Sequence, residues 1–146
     1  MSTPLHGTAP RRTDGGSPAP HWRWCDHRRG EPAEPLVREW LASEWSLAPE
    51  SIPLQRDARG RPRLGDGLRH RDVSWSHSGE GLLMAWGEGV DLGVDLEQAR
   101  PRPRALELAE RFFHTAEHDW LRGLPEPERN EAFLRLWCAK DAVVKA

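Results

Sequence analysis

The sequence predicts an α+β chain, and three stretches carry that expectation. Residues 88–97, EGVDLGVDLE, set Val90, Leu92, Val94 and Leu96 against Asp91, Gly93, Asp95 and Glu97, the two-residue period of a half-buried strand. Residues 35–47, PLVREWLASEWSL, repeat Leu36, Trp40, Leu41 and Leu47 near the 3.6-residue period of an amphipathic helix. Near the end, Phe133, Leu136, Trp137 and Val144 share one face of a second helix.

A chain of 146 residues suits one compact domain or two small lobes. A formal charge of -2 creates no global field, so net charge points neither to nucleic acid nor to a membrane surface. Cys25 and Cys138 are too few and too far apart for a disulfide framework or a four-ligand zinc site, which fits a reducing cytoplasmic setting. No run is long and apolar enough to span a bilayer, and residues 1–20 lack the apolar stretch of a signal peptide.

Between these stretches the elements follow in order. Residues 1–21 open with prolines, glycines and small polar residues and read as a disordered tail. HWRWCDHRRG, residues 21–30, alternates aromatics with cations as a nucleic-acid patch does, but a strand that puts Trp22 and Trp24 on one face explains it more simply. RDARGRPRLG, residues 56–65, is a turn-rich cationic connector. DVSWSHSG and GLLMAWG read as two short strands around Gly79 and Gly81. Beyond Pro101 and Pro103 the pattern turns helical through ALELAERFF, then TAEHDWL, and a last helix begins after Pro125 and Pro127.

The chemistry concentrates in three places. On a strand, Asp95 and Glu97 point the same way, and a pair of hard carboxylates suits Mg²⁺, although an acidic strand face in water is the plainer alternative. Lysine is rare: of 21 cationic side chains only Lys140 and Lys145 are not arginine, and both lie in the closing helix. Lys140 falls inside the apolar face, while Asp141 and Lys145, four apart, stack on its flank. A snorkelling stem and a surface ion pair would explain these positions without function. Carboxylates for a metal together with ammoniums for phosphate are also the parts of metal-assisted phosphoryl transfer. The third place is a pair of glycine-bearing turns, Ser76-His77-Ser78-Gly79 and Gly60-Arg61-Pro62, whose donors can converge on a phosphate.

Taken in order, Gly60-Arg61-Pro62, Ser76-His77-Ser78-Gly79, Gly93-Val94-Asp95-Leu96-Glu97, Arg111-Phe112-Phe113 with Glu117, and Trp137-x-x-Lys140-Asp141-Ala142-x-x-Lys145 resemble the Sfp-type 4′-phosphopantetheinyl transferases. The resemblance implies an α+β fold of two similar lobes, a pseudo-dimer with coenzyme A and Mg²⁺ in the cleft between them. It divides the chain into a tail at 1–21, an N-terminal lobe at 22–90 and an incomplete C-terminal lobe at 91–146. It implies transfer of 4′-phosphopantetheine from coenzyme A to a serine of an acyl or peptidyl carrier protein, with release of 3′,5′-ADP. By the same resemblance Asp95, Glu97 and Asp141 would hold the metal, and Asp141 and Lys145 would serve catalysis. Arg61, Ser76, His77, Lys140 and Lys145 would meet coenzyme A. A carboxylate or a water at the metal would take the serine proton, and the sequence leaves both open.

Two departures qualify the resemblance. Asp141 stands where the family usually has glutamate, which shortens its reach by roughly 1.5 Å, and a misplacement of about that size can cost on the order of a hundredfold in rate. The family also continues past this lysine motif, so the expectation is a C-terminally truncated chain whose last helix exposes Phe133, Trp137 and Val144. The alternative function is then a remnant that binds coenzyme A or carrier protein without turnover.

Overall fold

The computed structural model describes residues 19–146, so nearly all of the expected tail lies outside the described residues. Five strands and four helices follow in chain order: β1 (His21–Asp26), α1 (Glu34–Trp45), β2 (Leu54–Arg56), β3 (Pro62–Leu64), β4 (Arg71–Ser78), β5 (Gly81–Glu88), α2 (Ala105–Phe112), α3 (Thr115–Arg122) and α4 (Glu126–Lys145). A single 3₁₀ turn at Pro49–Ser51 joins α1 to β2. The described chain therefore mixes helices with small sheets, as an α+β fold does.

β4 and β5 form a tight hairpin with Ser78 opposite Gly81, and β1 adds to the far side of β5 to give the order β1-β5-β4, all antiparallel. The register puts Val73, Met84, Leu82 and Trp86 on one face, and α1 covers that face with Val37, Trp40 and Leu41. Pro35 starts α1 in its first turn, where a missing N–H costs nothing, and Ser46 ends it in the left-handed region at φ 53°. Leu47 lies past that stop and is exposed. Arg38 ties the helix to the next element by donating to the carbonyls of Ile52 at 2.7 Å and Leu54 at 3.1 Å.

A second apolar cluster gathers Ala105 and Ala109 of α2, Leu121 of α3 and Phe133 of α4, with Phe113 and Trp137 packed against it. It covers more of the closing helix than the sequence led us to expect. Phe133 is only 2% exposed because α2 and α3 fold over it and Phe113 stacks on its ring at 5.4 Å. Trp137 is half-buried, and of the large apolar residues of α4 only Val143 and Val144 remain open, at 75% and 81%. α4 also starts at Glu126, so Pro127 sits within its first turn and does not precede it.

The strand expected at 88–97 is the main correction. β5 ends at Glu88, and residues 91–100 are extended but belong to no sheet. Their alternate amides are taken by side chains of β4. The N–H of Leu92 donates to Asp72 Oδ2 at 2.7 Å, Val94 to Ser74 Oγ at 3.1 Å, Leu96 to Ser76 Oγ at 3.2 Å and Gln98 to Ser78 Oγ at 2.9 Å. Every rung joins residues twenty apart, so the segment runs parallel to β4, lying over its side chains and not beside its backbone. Val94 and Leu96, expected to anchor in a core, are half-buried and join neither apolar cluster.

Candidate functional site

The ladder fixes where Asp95 and Glu97 can go. With the amides of Val94, Leu96 and Gln98 held by β4, the carboxylate of Asp95 is drawn beside Ser76 and beneath the last turn of α4. Lys145 Nζ meets Asp95 Oδ1 at 2.9 Å, Asp141 Oδ2 at 3.6 Å and Ser76 Oγ at 3.4 Å. The Asp95 side chain is 5% exposed, and its second oxygen, Oδ2, is buried without a hydrogen-bond partner. Burial pushes this carboxyl up, but the Lys145 ammonium together with the neighbouring Asp141 and Cys138 side chains outweighs it and leaves the group below the usual aspartate range.

Glycine lets the two elements come this close. A Cβ placed on Gly93 would fall inside the carbonyl of Ala142 and 2.7 Å from the amide nitrogen of Ala146. The extended segment and the last turn of α4 thus touch backbone to backbone, and the short aspartate–ammonium contact follows from that approach.

Two hollows adjoin this contact. One, of about 450 Å³, is lined by Ser76, His77, Ser78, Asp95, Glu97 and Lys145. The other, of about 440 Å³, is lined chiefly by Arg56, Arg59, Arg61 and Arg63 of the β2–β3 hairpin and again by Lys145, and Trp75 forms a wall of both. The acidic segment and the Lys145-bearing end of α4 therefore meet in direct contact at the edge of a polar depression.

The residues singled out from the sequence fall into distinct environments. Asp95, Glu97, Ser76, His77 and Lys145 share the first hollow. Glu97, however, pairs with Arg102 at 3.1 Å, while Asp95 and Asp141 turn to Lys145. Among the described residues no three His, Cys, Asp or Glu side chains converge closely enough to hold a metal ion. Arg61 lines the second hollow, but its guanidinium donates to Asp72 at 2.5 Å and to the carbonyl of Leu92 at 3.4 Å, which pins the β2–β3 turn to the extended segment. Lys140 lines neither hollow. Its ammonium reaches Glu117 at 2.8 Å and lies 5.1 Å from the centre of the Phe113 ring, so α3 and Phe113 answer the charge on the apolar face. Glu117 also accepts the N–H of His114 at 2.9 Å and closes the capping box of α3.

Other contributors were not foreseen. Cys138 lies by Asp95 and Glu97, and burial with those two negative charges pushes its thiol up to about 11, so it stays protonated at neutral pH. Asp72, Ser74 and Ser78 carry the ladder, and their signal was visible as polar residues at every second position of a strand. His27 is 3% exposed, bonds the carbonyl of Glu31 at 2.8 Å and sets its ring 4.9 Å from that of His77. Arg102, which claims Glu97, carried no sequence signal of its own.

Residues 91–146, which include the extended segment and α4, match the 4′-phosphopantetheinyl transferase superfamily. The chain is 33% identical over 124 residues to the 4′-phosphopantetheinyl transferase HetI of Nostoc sp., an alignment covering 83% of this chain and 52% of HetI. It is 29% identical over 110 residues to the 4′-phosphopantetheinyl transferase Sfp of Bacillus subtilis, covering 75% of this chain and 47% of Sfp. With the 4′-phosphopantetheinyl transferase AcpT of Escherichia coli it shares 28% identity over 124 residues, 81% of this chain and 62% of AcpT. The chain thus spans about half the length of HetI and Sfp, and its similarity to these transferases extends over most of its own residues.

Proposed function

We propose that this chain carries the phosphate-facing half of a 4′-phosphopantetheinyl transferase of the Sfp type. The substrates are coenzyme A and an acyl or peptidyl carrier protein in the cytoplasm. The acceptor serine oxygen forms a bond to the phosphorus that bears pantetheine, and the bond from that phosphorus to the oxygen of 3′,5′-ADP breaks. The serine proton leaves to a base, and the nucleotide departs with the bonding pair.

The observation that carries this reading is the contact of Asp95 with Lys145 at the edge of two polar hollows, one acid-bearing and one arginine-rich. Phosphoryl transfer needs little covalent help from the protein and much charge placement. Lys145 gives a compact ammonium beside the position of a pyrophosphate, and Arg56, Arg59 and Arg63 ring the neighbouring depression for further phosphate charge. His77 stands exposed at the mouth of the first hollow, where its ring can donate to a phosphate oxygen. Lys140, by contrast, acts on the site by fixing α3 to α4 through Glu117.

A divalent ion fits here on one specific ground: a desolvated carboxylate oxygen of Asp95 has no well-aligned hydrogen-bond partner, and the donor beside the carboxylate is the weak thiol of Cys138, so a cation is better suited to its charge. Asp95 and Glu97, with Asp141 on the facing helix, are the residues that would hold Mg²⁺. When bound, the ion would neutralise charge on the pyrophosphate. In this arrangement Lys145 already holds Asp95 and Asp141 together, so the same ammonium keeps the acids in place and faces the phosphates. The two lobes implied by the resemblance would then be the α1-covered sheet and the α2–α4 cluster, with the extended segment between them.

The test is a mass shift on a carrier protein incubated with this chain, coenzyme A and Mg²⁺. An added phosphopantetheine that disappears in Asp95→Ala supports the reading. Bound coenzyme A with no adduct at any protein concentration would leave only the binding function, and an unaltered rate in Asp95→Ala would remove the metal assignment.

A further inference from the structure

The resemblance put Ser76 beside His77 as a contact for coenzyme A, but the two side chains point to opposite faces of β4 and have different surroundings. A serine hydroxyl has one proton to give and two lone pairs to receive. Ser76 Oγ gives its proton to Asp95 Oδ1 at 3.3 Å and receives from the N–H of Leu96 at 3.2 Å and from Lys145 Nζ at 3.4 Å. All three capacities are used, and the residue is 8% exposed. A phosphate oxygen could reach this hydroxyl only by displacing Asp95, because the hydroxyl has a single proton.

Resting on the function proposed above, we infer that Ser76 is a positioning residue for the Asp95 carboxylate and not a contact for the nucleotide. Asp72 also does two tasks, since it binds Arg61 as well as an amide, but Ser76 is the rung that reaches a carboxylate of the extended segment. Ser74 and Ser78 each fix only an amide of the extended segment, whereas Ser76 fixes an amide and also orients the neighbouring carboxylate toward Lys145. Its bond to Oδ1 aims the carboxylate, so that Oδ2 is the oxygen left without a partner. Outer partners of this kind set how well a carboxylate serves a metal, and their loss costs about ten- to a hundredfold in metal affinity.

The experiment compares Ser76→Ala, Ser76→Thr and Ser74→Ala in the full chain by three readouts. These are Mn²⁺ affinity from electron paramagnetic resonance, coenzyme A affinity by calorimetry in excess EDTA, and amide hydrogen exchange at Leu96. Ser76→Ala should weaken Mn²⁺ about ten- to a hundredfold and speed exchange at Leu96, leaving metal-free coenzyme A affinity within about twofold of wild type. Ser76→Thr keeps the hydroxyl and should restore both effects. Ser74→Ala should speed exchange at Val94 with little change in Mn²⁺ affinity. Weaker metal-free coenzyme A binding in Ser76→Ala, with Mn²⁺ affinity and Leu96 exchange unchanged, would overturn the inference. Should the wild type bind neither Mn²⁺ nor coenzyme A, the proposed function fails. Unchanged Leu96 exchange in Ser76→Ala would then still count against the positioning role.

Discussion

Replacing Gly93 by alanine tests the geometry of the site most directly. The added methyl would fall inside the Ala142 carbonyl and within 2.9 Å of its carbon, and all the crowded atoms are backbone. No rotamer can relieve such a clash, so the extended segment and the last turn of α4 must separate by roughly 1 Å to restore ordinary contact. Overpacking of this kind costs about 1–3 kcal/mol. The 2.9 Å contact between Lys145 and Asp95 opens by a similar distance, and a misplacement of about 1 Å at a reacting group can lower the rate on the order of a hundredfold. Gly93→Ala should therefore unfold at lower denaturant, by the amount stated, and modify carrier protein far more slowly under saturating coenzyme A. Gly60→Ala is the control, since it burdens a left-handed turn at φ 79° but meets no atom within 4 Å. Wild-type stability and rate in Gly93→Ala would refute the close approach and, with it, the placing of Lys145.

The other predictions concern charge. Asp95 is held below its ordinary range in the folded protein, so its ionised form contributes stability above the unfolded pKa near 4, and this is lost as pH falls through the folded value. Urea melts without added metal should therefore weaken between about pH 5 and 3, and Asp95→Asn should be less stable at pH 7 but flatter across that window. An equally steep profile in the variant would count against the ion pair. Lys140→Met should lower stability modestly and release Glu117, whose carboxyl the Lys140 ammonium and the His114 amide now hold below its usual range, with coenzyme A affinity unchanged by calorimetry. A large loss of affinity would return Lys140 to the ligand. With its thiol pushed up to about 11, Cys138 should alkylate at pH 8 far more slowly than an unperturbed cysteine, and rapid adduct formation at Cys138 by mass mapping would contradict its placement beside the acids.

Periodicity foretold the helices because each signal was local. The buried Trp40 and Leu41 of α1 and the paired strands on either side of Gly79 follow from spacing alone, whereas Val37 lay outside the expected stripe and Leu36 and Leu47, which were in it, are half-buried and exposed. Lys140 was readable as a misfit on an apolar face, but not its remedy. Glu117 and Phe113 lie far back in the chain, and only the folding of α2 and α3 over α4 brings them to that ammonium. The same fold explains why Phe133 is covered: its partners at Ala109 and Leu121 are set by tertiary packing, not by the helix that bears it.

Residues 88–97 show where pattern reading stops. Alternation reports that successive side chains meet different surroundings, which any extended segment achieves, and it does not reveal what holds the backbone. Here the amides go to Asp72, Ser74, Ser76 and Ser78, so the segment keeps a strand's geometry without a strand's partner. That substitution matters chemically. A neighbouring strand would have held the segment by backbone alone, whereas side-chain acceptors bring hydroxyls to the atoms they position, and one of those hydroxyls reaches Asp95. Asp95 and Glu97 could thus be read from sequence as neighbours, but their separate commitments to Lys145 and Arg102 depend on where folding brings those two cations. Ser76 was legible from the sequence as a candidate phosphate contact, but its hold on Asp95, like the ladder roles of Ser74 and Ser78, was hidden in a run of serines on every second position of β4.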